Sequence, residues 1–153
     1  MHVLIARDAD ELAGIAADVF RERVRARPEL AMAVPAGRTP RRMYARMAAL
    51  QARDPIDYAR MRIFSVRPVR LLDSTVRYIL TDDVIQGDVC ERAVTLGLAT
   101  IMAAREVIVL VSGEAKRAPL ARLLDGPITP DVPASVLRRH PRCLVITDRA
   151  ARL

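Results

Sequence analysis

The stretch Leu30-Ala-Met-Ala-Val-Pro-Ala-Gly-Arg-Thr-Pro40 decides the fold of this 153-residue chain. Its first part, Ala31–Val34, is apolar without alternation, which is typical of a strand buried on both faces of a parallel sheet. Gly37 predicts a tight turn, and we expect Thr39 to cap a helix that has Pro40 at its first position. A helix N-terminus after a strand offers free N–H groups to an anion such as phosphate. The same junction also occurs as a plain sharp turn.

The composition indicates one domain, residues 1–153, with an aliphatic core. Hydrophobic residues make up 52% of the chain and aromatic residues only 3%, so the core must be built from small aliphatic side chains. The formal net charge of +7 is spread along the chain. Without a basic cluster or an aromatic platform, we expect no nucleic-acid partner. Arg105 and Glu106 interrupt the longest apolar run, so we expect no membrane span.

The two cysteines predict a reducing environment. Cys90 and Cys143 lack a metal-ligand spacing, and Cys143 lies in a strand-like run. We therefore expect both thiols to be reduced, the protein to be cytoplasmic, and no metal or cofactor to be bound. The N-terminal apolar stretch is too short for a signal peptide.

Apolar periodicity and turn residues predict alternating helices and strands. We expect helices at 8–27, 40–52, 98–104, 113–124 and 133–137, and strands at 30–35, 61–66, 93–96, 106–113 and 143–147. Residues 21–27 are expected to form an exposed, charged helix end. The alternation predicts an α/β fold with three layers and a mostly parallel, Rossmann-like sheet. Ligands bind such sheets at the carboxyl ends of strands, where Gly37 and Gly113 lie.

Lys116 stands out because it is the only lysine among the 25 basic residues of the chain. It follows Gly113 at a second strand–glycine–helix junction. From the residues alone, a functional ammonium group and an accident of codon usage explain this position equally well.

Five motifs follow one another along the chain in a recognisable order. They are Pro35–Pro40, Val76–Tyr78, Ala93–Thr100, Val111–Lys116 and Pro133–Pro141. Together they resemble the glucosamine-6-phosphate deaminase/isomerase family, whose wider group includes the 6-phosphogluconolactonases. The resemblance implies that a substrate phosphate is held by Gly37, Arg38 and Thr39, by Arg77 and by Lys116. A helix N-terminus, a guanidinium and an ammonium group make complementary contacts to phosphate.

The chain also departs from the family pattern. Ala36 stands where the family has Ser or Thr, and Arg38 stands where it has a small residue. The family places an Asp-Glu pair, including its general base, after the strand that matches 61–66, but this chain has no acidic residue between Asp57 and Asp73. Its Asp-Gly-His loop has no counterpart either. The catalytic residues of this chain therefore remain unassigned.

These departures predict a shortened member of the family that lacks a middle block before Arg77. Losing that block would remove a central strand and leave a sheet edge to cover, so we expect a homo-oligomer. The first hypothesis is a sugar-phosphate-binding protein without the standard chemistry. The alternative is an enzyme with a rebuilt site on a phosphorylated sugar, of the isomerase/deaminase type. Its candidate residues are Asp73, Ser74, Asp82, Asp83 and Glu114. A nucleic-acid-binding module is a third alternative, supported only by the net charge.

Overall fold

Helices and strands alternate over most of the described chain, as the sequence predicts. The computed structural model describes residues 1–35, 37–66, 69–70, 93–94 and 97–152. The strands are β1 (His2–Ala6), β2 (Ala31–Pro35), β3 (Arg62–Val66), β4 (Val69–Arg70), β5 (Ala93–Val94), β6 (Val107–Val111) and β7 (Cys143–Asp148). The α-helices are α1 (Ala9–Ala26), α2 (Arg38–Gln51), α3 (Leu98–Met102), α4 (Arg117–Asp125) and α5 (Arg149–Arg152), and Glu114–Lys116 and Pro133–Arg139 are 3₁₀ helices.

A parallel sheet of three strands, in the order β1-β7-β6, forms the centre of the described structure. Strand β7 pairs with both neighbours, matching Val145 to Val3 of β1 and to Val109 of β6. Both faces of β6 and β7 are covered, because alternate side chains belong to two different hydrophobic clusters. Unbroken apolar runs such as Val107–Val111 suit a strand with helices on both sides.

One cluster packs α1 and α2 against this sheet, and the other packs α4 on the opposite face. Phe20 of α1 and Met43 of α2 meet Ile146 of β7 in the first cluster. Leu120 and Leu123 of α4 belong with Val145 to the second. The prediction of a three-layer α/β fold is therefore confirmed.

Among the residues that the structure describes, the strands are divided over three sheets rather than joined in one. Strands β2 and β3 form a separate parallel pair, and β4 pairs with β5 in antiparallel orientation. Strand β1 was not anticipated from the sequence.

Strand β2 is also less buried than its sequence predicts. Met32 and Val34 are half-buried against the first cluster, while Ala31 and Ala33 are exposed. Only one face of β2 is thus well covered. An apolar run without alternation does not by itself guarantee two covered faces, since small alanines are tolerated at the surface.

Helix α1 begins where the sequence predicts but ends differently. The Asp8 carboxylate accepts hydrogen bonds from the N–H groups of Asp10 and Glu11, at 3.0 and 2.9 Å, and so caps the helix. Arg21, expected in the exposed charged end, is only 2% exposed. Its guanidinium donates to the backbone carbonyl and the carboxylate of Asp54, the latter at 2.8 Å. The aliphatic stem packs inside while the charged end reaches a partner just beyond α2.

The start of α2 differs from the prediction by two residues. Gly37 is the N-cap, with a φ of 133° that L side chains rarely adopt. Thr39 and Pro40 are therefore the second and third helical residues, and no side chain caps this end. Pro40 is tolerated there because the first N–H groups of a helix have no intrahelical acceptor. The predicted helix 113–124 similarly divides into the 3₁₀ turn Glu114–Lys116 and α4.

The ion pair between Arg23 and Glu106 gives a prediction for acid stability. Arg23 Nε and Nη2 donate to the two Glu106 oxygens at 2.9 and 3.0 Å, and this bonding holds the pKa of Glu106 below its usual range. A depressed folded-state pKa adds stability that is full above the unfolded pKa of about 4.3 and is lost as the pH falls through the folded value. We therefore expect Glu106→Gln to lose less stability than wild type between pH 6 and about pH 3. Urea unfolding at each pH measures the difference, and parallel curves would contradict it.

Candidate functional site

A cleft of about 530 Å³ lies beside β6 and brings together two of the five residues expected to bind phosphate. Thr39 from the first turn of α2 and Lys116 from the 3₁₀ turn both line it. We call it the Lys116 cleft. Its other walls come from β6 and the residue after it (109–112), from α4 (Pro119, Leu120, Arg122, Leu123) and from residues 131–134.

Lys116 reaches this cleft because β6 ends in a glycine turn. The φ of Gly113 is 94°, in the left-handed region that favours glycine, and the turn continues directly into Glu114–Lys116. The backbone N–H of Lys116 donates to the Gly113 carbonyl at 3.0 Å. The Lys116 side chain is half-buried. The only ammonium side chain of the protein thus stands just beyond the carboxyl end of β6.

The helix that begins after the β2 glycine turn contributes Thr39 to the Lys116 cleft. Gly37 and Arg38 occupy the start of α2, as expected, but neither is among the residues that line the Lys116 cleft. Arg38 is exposed. Among the described residues of this loop, Thr39 is therefore the one that the structure brings into the same cleft as Lys116.

The other candidate residues do not reach the cleft or lie outside the described residues. Arg77 lies outside them, as do Asp73, Ser74, Asp82 and Asp83. Glu114 does not line the cleft, and its side chain is 80% exposed beside Arg117. Glu114 therefore does not supply the cleft with the general acid or base that an enzyme with a rebuilt site would need.

Two charged residues of the cleft were missed by sequence reasoning. Arg122 projects from α4 and Asp131 belongs to the loop before the 3₁₀ helix Pro133–Arg139. Both look like ordinary surface residues in the sequence. Together with Lys116 they give the cleft two positive charges and one negative charge on largely apolar walls. This charge balance favours a small ligand that carries an anionic group and also has polar groups that form hydrogen bonds.

A buried carboxylate, Asp148 at the end of β7, was also missed. It is 2% exposed. Burial raises its pKa, but hydrogen bonds from the Ser112 hydroxyl and from the N–H groups of Gly113 and Ala151 outweigh that effect and hold the pKa below its usual range. The carboxylate is therefore ionised at neutral pH. A polar residue directly after an apolar strand was the signal that could have found it.

Further structural findings concern metals, thiols and membranes. Within the described ranges, no group of three or more His, Cys, Asp or Glu side chains could hold a metal ion. Cys143 is a buried free thiol of β7, and burial raises its pKa. Cys90 lies outside the described residues. None of the helices described is long and apolar enough to cross a membrane.

Comparison with known proteins supports the resemblance seen in the motifs. The family model described as glucosamine-6-phosphate isomerases/6-phosphogluconolactonase matches residues 71–146. This match includes the Gly113 turn and Lys116 but not the loop around Gly37.

Curated relatives cover part of the chain at substantial identity. A glucosamine-6-phosphate deaminase of Lactobacillus delbrueckii subsp. bulgaricus is 47% identical over 64 residues, which are 42% of this chain and 27% of that protein. A glucosamine-6-phosphate deaminase of Streptococcus thermophilus is 40% identical over 83 residues, which are 54% of this chain and 36% of that protein. The matched stretch thus spans between about a quarter and just over a third of these relatives.

A solved structure extends the likeness to the whole fold. A monomeric glucosamine-6-phosphate deaminase superposes with a TM-score of 0.80 at 18% identity, and the alignment covers 99% of this chain and 98% of that one. Identity at this level shows the fold alone. Taken together, the family model, the curated relatives and this structure show that the chain, at 153 residues shorter than the full family, is similar to the glucosamine-6-phosphate isomerases/6-phosphogluconolactonase family.

Proposed function

We propose that this chain binds a phosphorylated sugar in the Lys116 cleft and lacks the standard chemistry of that family. The observation that carries the proposal is the placement of Thr39 and Lys116, from two separate strand–glycine–helix junctions, on one cleft. The N-terminus of α2 adds a positive dipole end near Thr39. An ammonium group and backbone N–H groups are suited to a phosphate, and Arg77 is the third element that the family resemblance implies.

The rest of the cleft supports a small, polar molecule attached to that phosphate. A volume of about 530 Å³ lies within the range of roughly 300–1,000 Å³ that is usual for small-ligand pockets. Asp131 can accept hydrogen bonds from sugar hydroxyls, while a second phosphate beside it would be repelled. The curated relatives are named as deaminases of glucosamine 6-phosphate, which makes this compound the first ligand to test.

Thermal unfolding with matched ligands tests the proposal. A ligand at about 100 times its Kd stabilises a protein by about 2.7 kcal/mol, which for a chain of this size raises Tm by roughly 5–10 °C. We expect this shift with glucosamine 6-phosphate and not with glucosamine at the same concentration. Equal shifts with both compounds would show that the protein binds the sugar and makes no contribution to affinity through the phosphate. No shift with any hexose or pentose phosphate would overturn the proposal.

We further propose that the chain forms a homo-oligomer. Ile63 and Phe64 of β3 are 58% and 59% exposed, and Val3, Leu4 and Ile5 of β1 are also exposed. Large apolar side chains exposed on strands favour association, because a partner would remove them from water. The solved neighbour is a monomeric deaminase, so the proposal is supported by these side chains alone. A cytoplasmic location likewise stays a prediction from the cysteines.

Light scattering provides the measurement for assembly. At micromolar concentration we expect a mass of at least twice 17.0 kDa, and we expect Phe64→Glu to reduce it by placing a charge in the apolar contact. Arg53→Glu is the control. It changes the charge of an exposed residue and leaves the apolar side chains of β1 and β3 as they are. A wild-type mass near 17.0 kDa would contradict the proposal.

A further inference from the structure

The Asp148 carboxylate joins three segments of the chain that meet at the carboxyl end of the central sheet. The Ser112 hydroxyl donates to Oδ2 at 2.5 Å, and the Gly113 N–H lies 3.1 Å from both carboxylate oxygens. The N–H of Ala151 donates to Oδ1 at 2.9 Å. The carboxylate therefore holds the turn after β6 from one side and the start of α5 from the other.

This bonding acts on the turn that carries Lys116. Gly113 adopts a conformation open mainly to glycine, so its own backbone preference does little to fix the turn. Beyond Gly113, the N–H of Lys116 donates to the Gly113 carbonyl at 3.0 Å. A short chain of hydrogen bonds thus runs from the Asp148 carboxylate through Gly113 to the backbone of Lys116.

Helix α5 reinforces the same turn. It packs against Glu114–Lys116, and Arg117 Nη2 donates to the Ala150 carbonyl at 3.3 Å. Asp148 itself is not among the residues that line the Lys116 cleft. Its buried charge is balanced by hydrogen-bond donors of the protein.

We propose that Asp148 is a positioning residue for phosphate binding, which fixes the Ser112–Gly113 turn so that Lys116 is held at the cleft. This inference rests on the proposed function. An ionised carboxylate can accept hydrogen bonds from the Ser112 hydroxyl and from the N–H groups of Gly113 and Ala151 at the same time. An amide of the same shape has only one accepting oxygen, and its NH₂ group would face these donors with two further donors. Preorganisation of this kind raises affinity by lowering the ordering cost of binding.

Asp148→Asn is the direct test, since it keeps the shape of the side chain and removes part of its accepting capacity. We expect the Kd for glucosamine 6-phosphate, measured by calorimetry, to rise at least tenfold. Amide hydrogen exchange at residues 112–116 of the unliganded protein is expected to accelerate. Ser112→Ala removes a single donor to the carboxylate. Because Ser112 also lines the cleft, this variant is compared by hydrogen exchange in the unliganded protein. We expect its exchange at residues 113–116 to accelerate less than in Asp148→Asn, which keeps the test available if Asp148→Asn does not fold.

Ile146→Val controls for loss of stability alone. Ile146 lies in the same strand and is fully buried. It is not among the residues that donate hydrogen bonds to the Asp148 carboxylate. We expect this variant to be less stable and to keep the wild-type Kd and the wild-type exchange at 112–116. An equal rise in Kd for Ile146→Val would overturn the positioning role.

The outcomes also separate this inference from the proposed function. If wild type binds glucosamine 6-phosphate and Asp148→Asn binds it equally well, the positioning role is wrong and the proposed function stands. If wild type binds no sugar phosphate, the proposed function fails and the positioning role fails with it.

Discussion

Replacing Lys116 with alanine is expected to remove between about half and nearly all of the thermal shift that a sugar phosphate produces, while leaving the unliganded protein close to wild type in stability. A hydrogen bond to a charged group contributes about 1.5–3 kcal/mol net, so its loss weakens binding roughly ten- to hundredfold. A ligand at about 100 times the original Kd then stabilises the variant by about 1.4 kcal/mol at the tenfold limit and by about 0.4 kcal/mol at the hundredfold limit. The shift that remains is roughly 3–5 °C in the first case and about 1 °C in the second, instead of 5–10 °C.

The expected stability of the unliganded variant follows from the position of Lys116. The side chain is half-buried at the cleft and is not part of either hydrophobic cluster. Substitutions away from the core usually change the free energy of unfolding by less than about 1 kcal/mol. Unfolding of Lys116→Ala at room temperature would show that Lys116 is structural.

Arg53→Ala is the matched control for this experiment. Arg53 lies just beyond α2, is exposed, and does not line the cleft. Its substitution lowers the net charge by the same single unit, from +7 to +6. We expect Arg53→Ala to keep the full shift. We expect Lys116→Arg to keep part of it, since the positive charge remains but the shape of the charged group changes. Equal losses for Lys116→Ala and Arg53→Ala would indicate a general charge effect rather than a phosphate contact.

Local sequence signals located most elements of the fold because each signal is a short-range interaction. Asp8 predicted the start of α1, and the structure shows its carboxylate bonded to the first turn. The apolar run before Gly113 predicted β6, whose side chains alternate between two clusters. The two glycines placed the turns correctly, and both have a positive φ.

Long-range packing could not be obtained in the same way. Arg21 looked like part of an exposed helix end, but its burial depends on Asp54, which lies 33 residues later. The pairing of strands into separate sheets depends on contacts that no local pattern encodes. The start of α2 was misplaced because the conformation of Gly37 allows the helix to begin earlier than a Thr cap would.

The candidate site was predictable only in part for a related reason. Lys116 and Thr39 were singled out by the family motifs, and the structure brings them to one cleft. Arg122, Asp131 and Asp148 carry no motif, and each reaches the site or its support through tertiary contacts. Asp148 acts on residues 35 or more positions earlier in the chain, which makes its role invisible to any local pattern.

This chain is expected to release no ammonia from glucosamine 6-phosphate above the uncatalysed background. The family resemblance implies a general base directly after the strand that matches β3, and no acidic residue lies between Asp57 and Asp73. The Asp-Gly-His loop implied to open the sugar ring is missing as well. A positioned acid or base contributes roughly 10²–10⁴-fold in rate, and a chain that lacks both groups should fall below detection.

The measurement couples ammonia release to a sensitive dehydrogenase assay, with the Streptococcus thermophilus deaminase as the positive control. Lys116→Ala, purified in parallel, distinguishes the chain from a contaminating host enzyme. Activity that is present in wild type and lost in Lys116→Ala would belong to this chain and would overturn the prediction, because it would require a base elsewhere in the sequence. Equal traces of activity in both preparations would come from the host. Binding of glucosamine 6-phosphate without turnover is the expected result. Lys116 and Thr39 are retained, whereas the acidic pair and the Asp-Gly-His loop that the resemblance implies have no counterpart in the sequence.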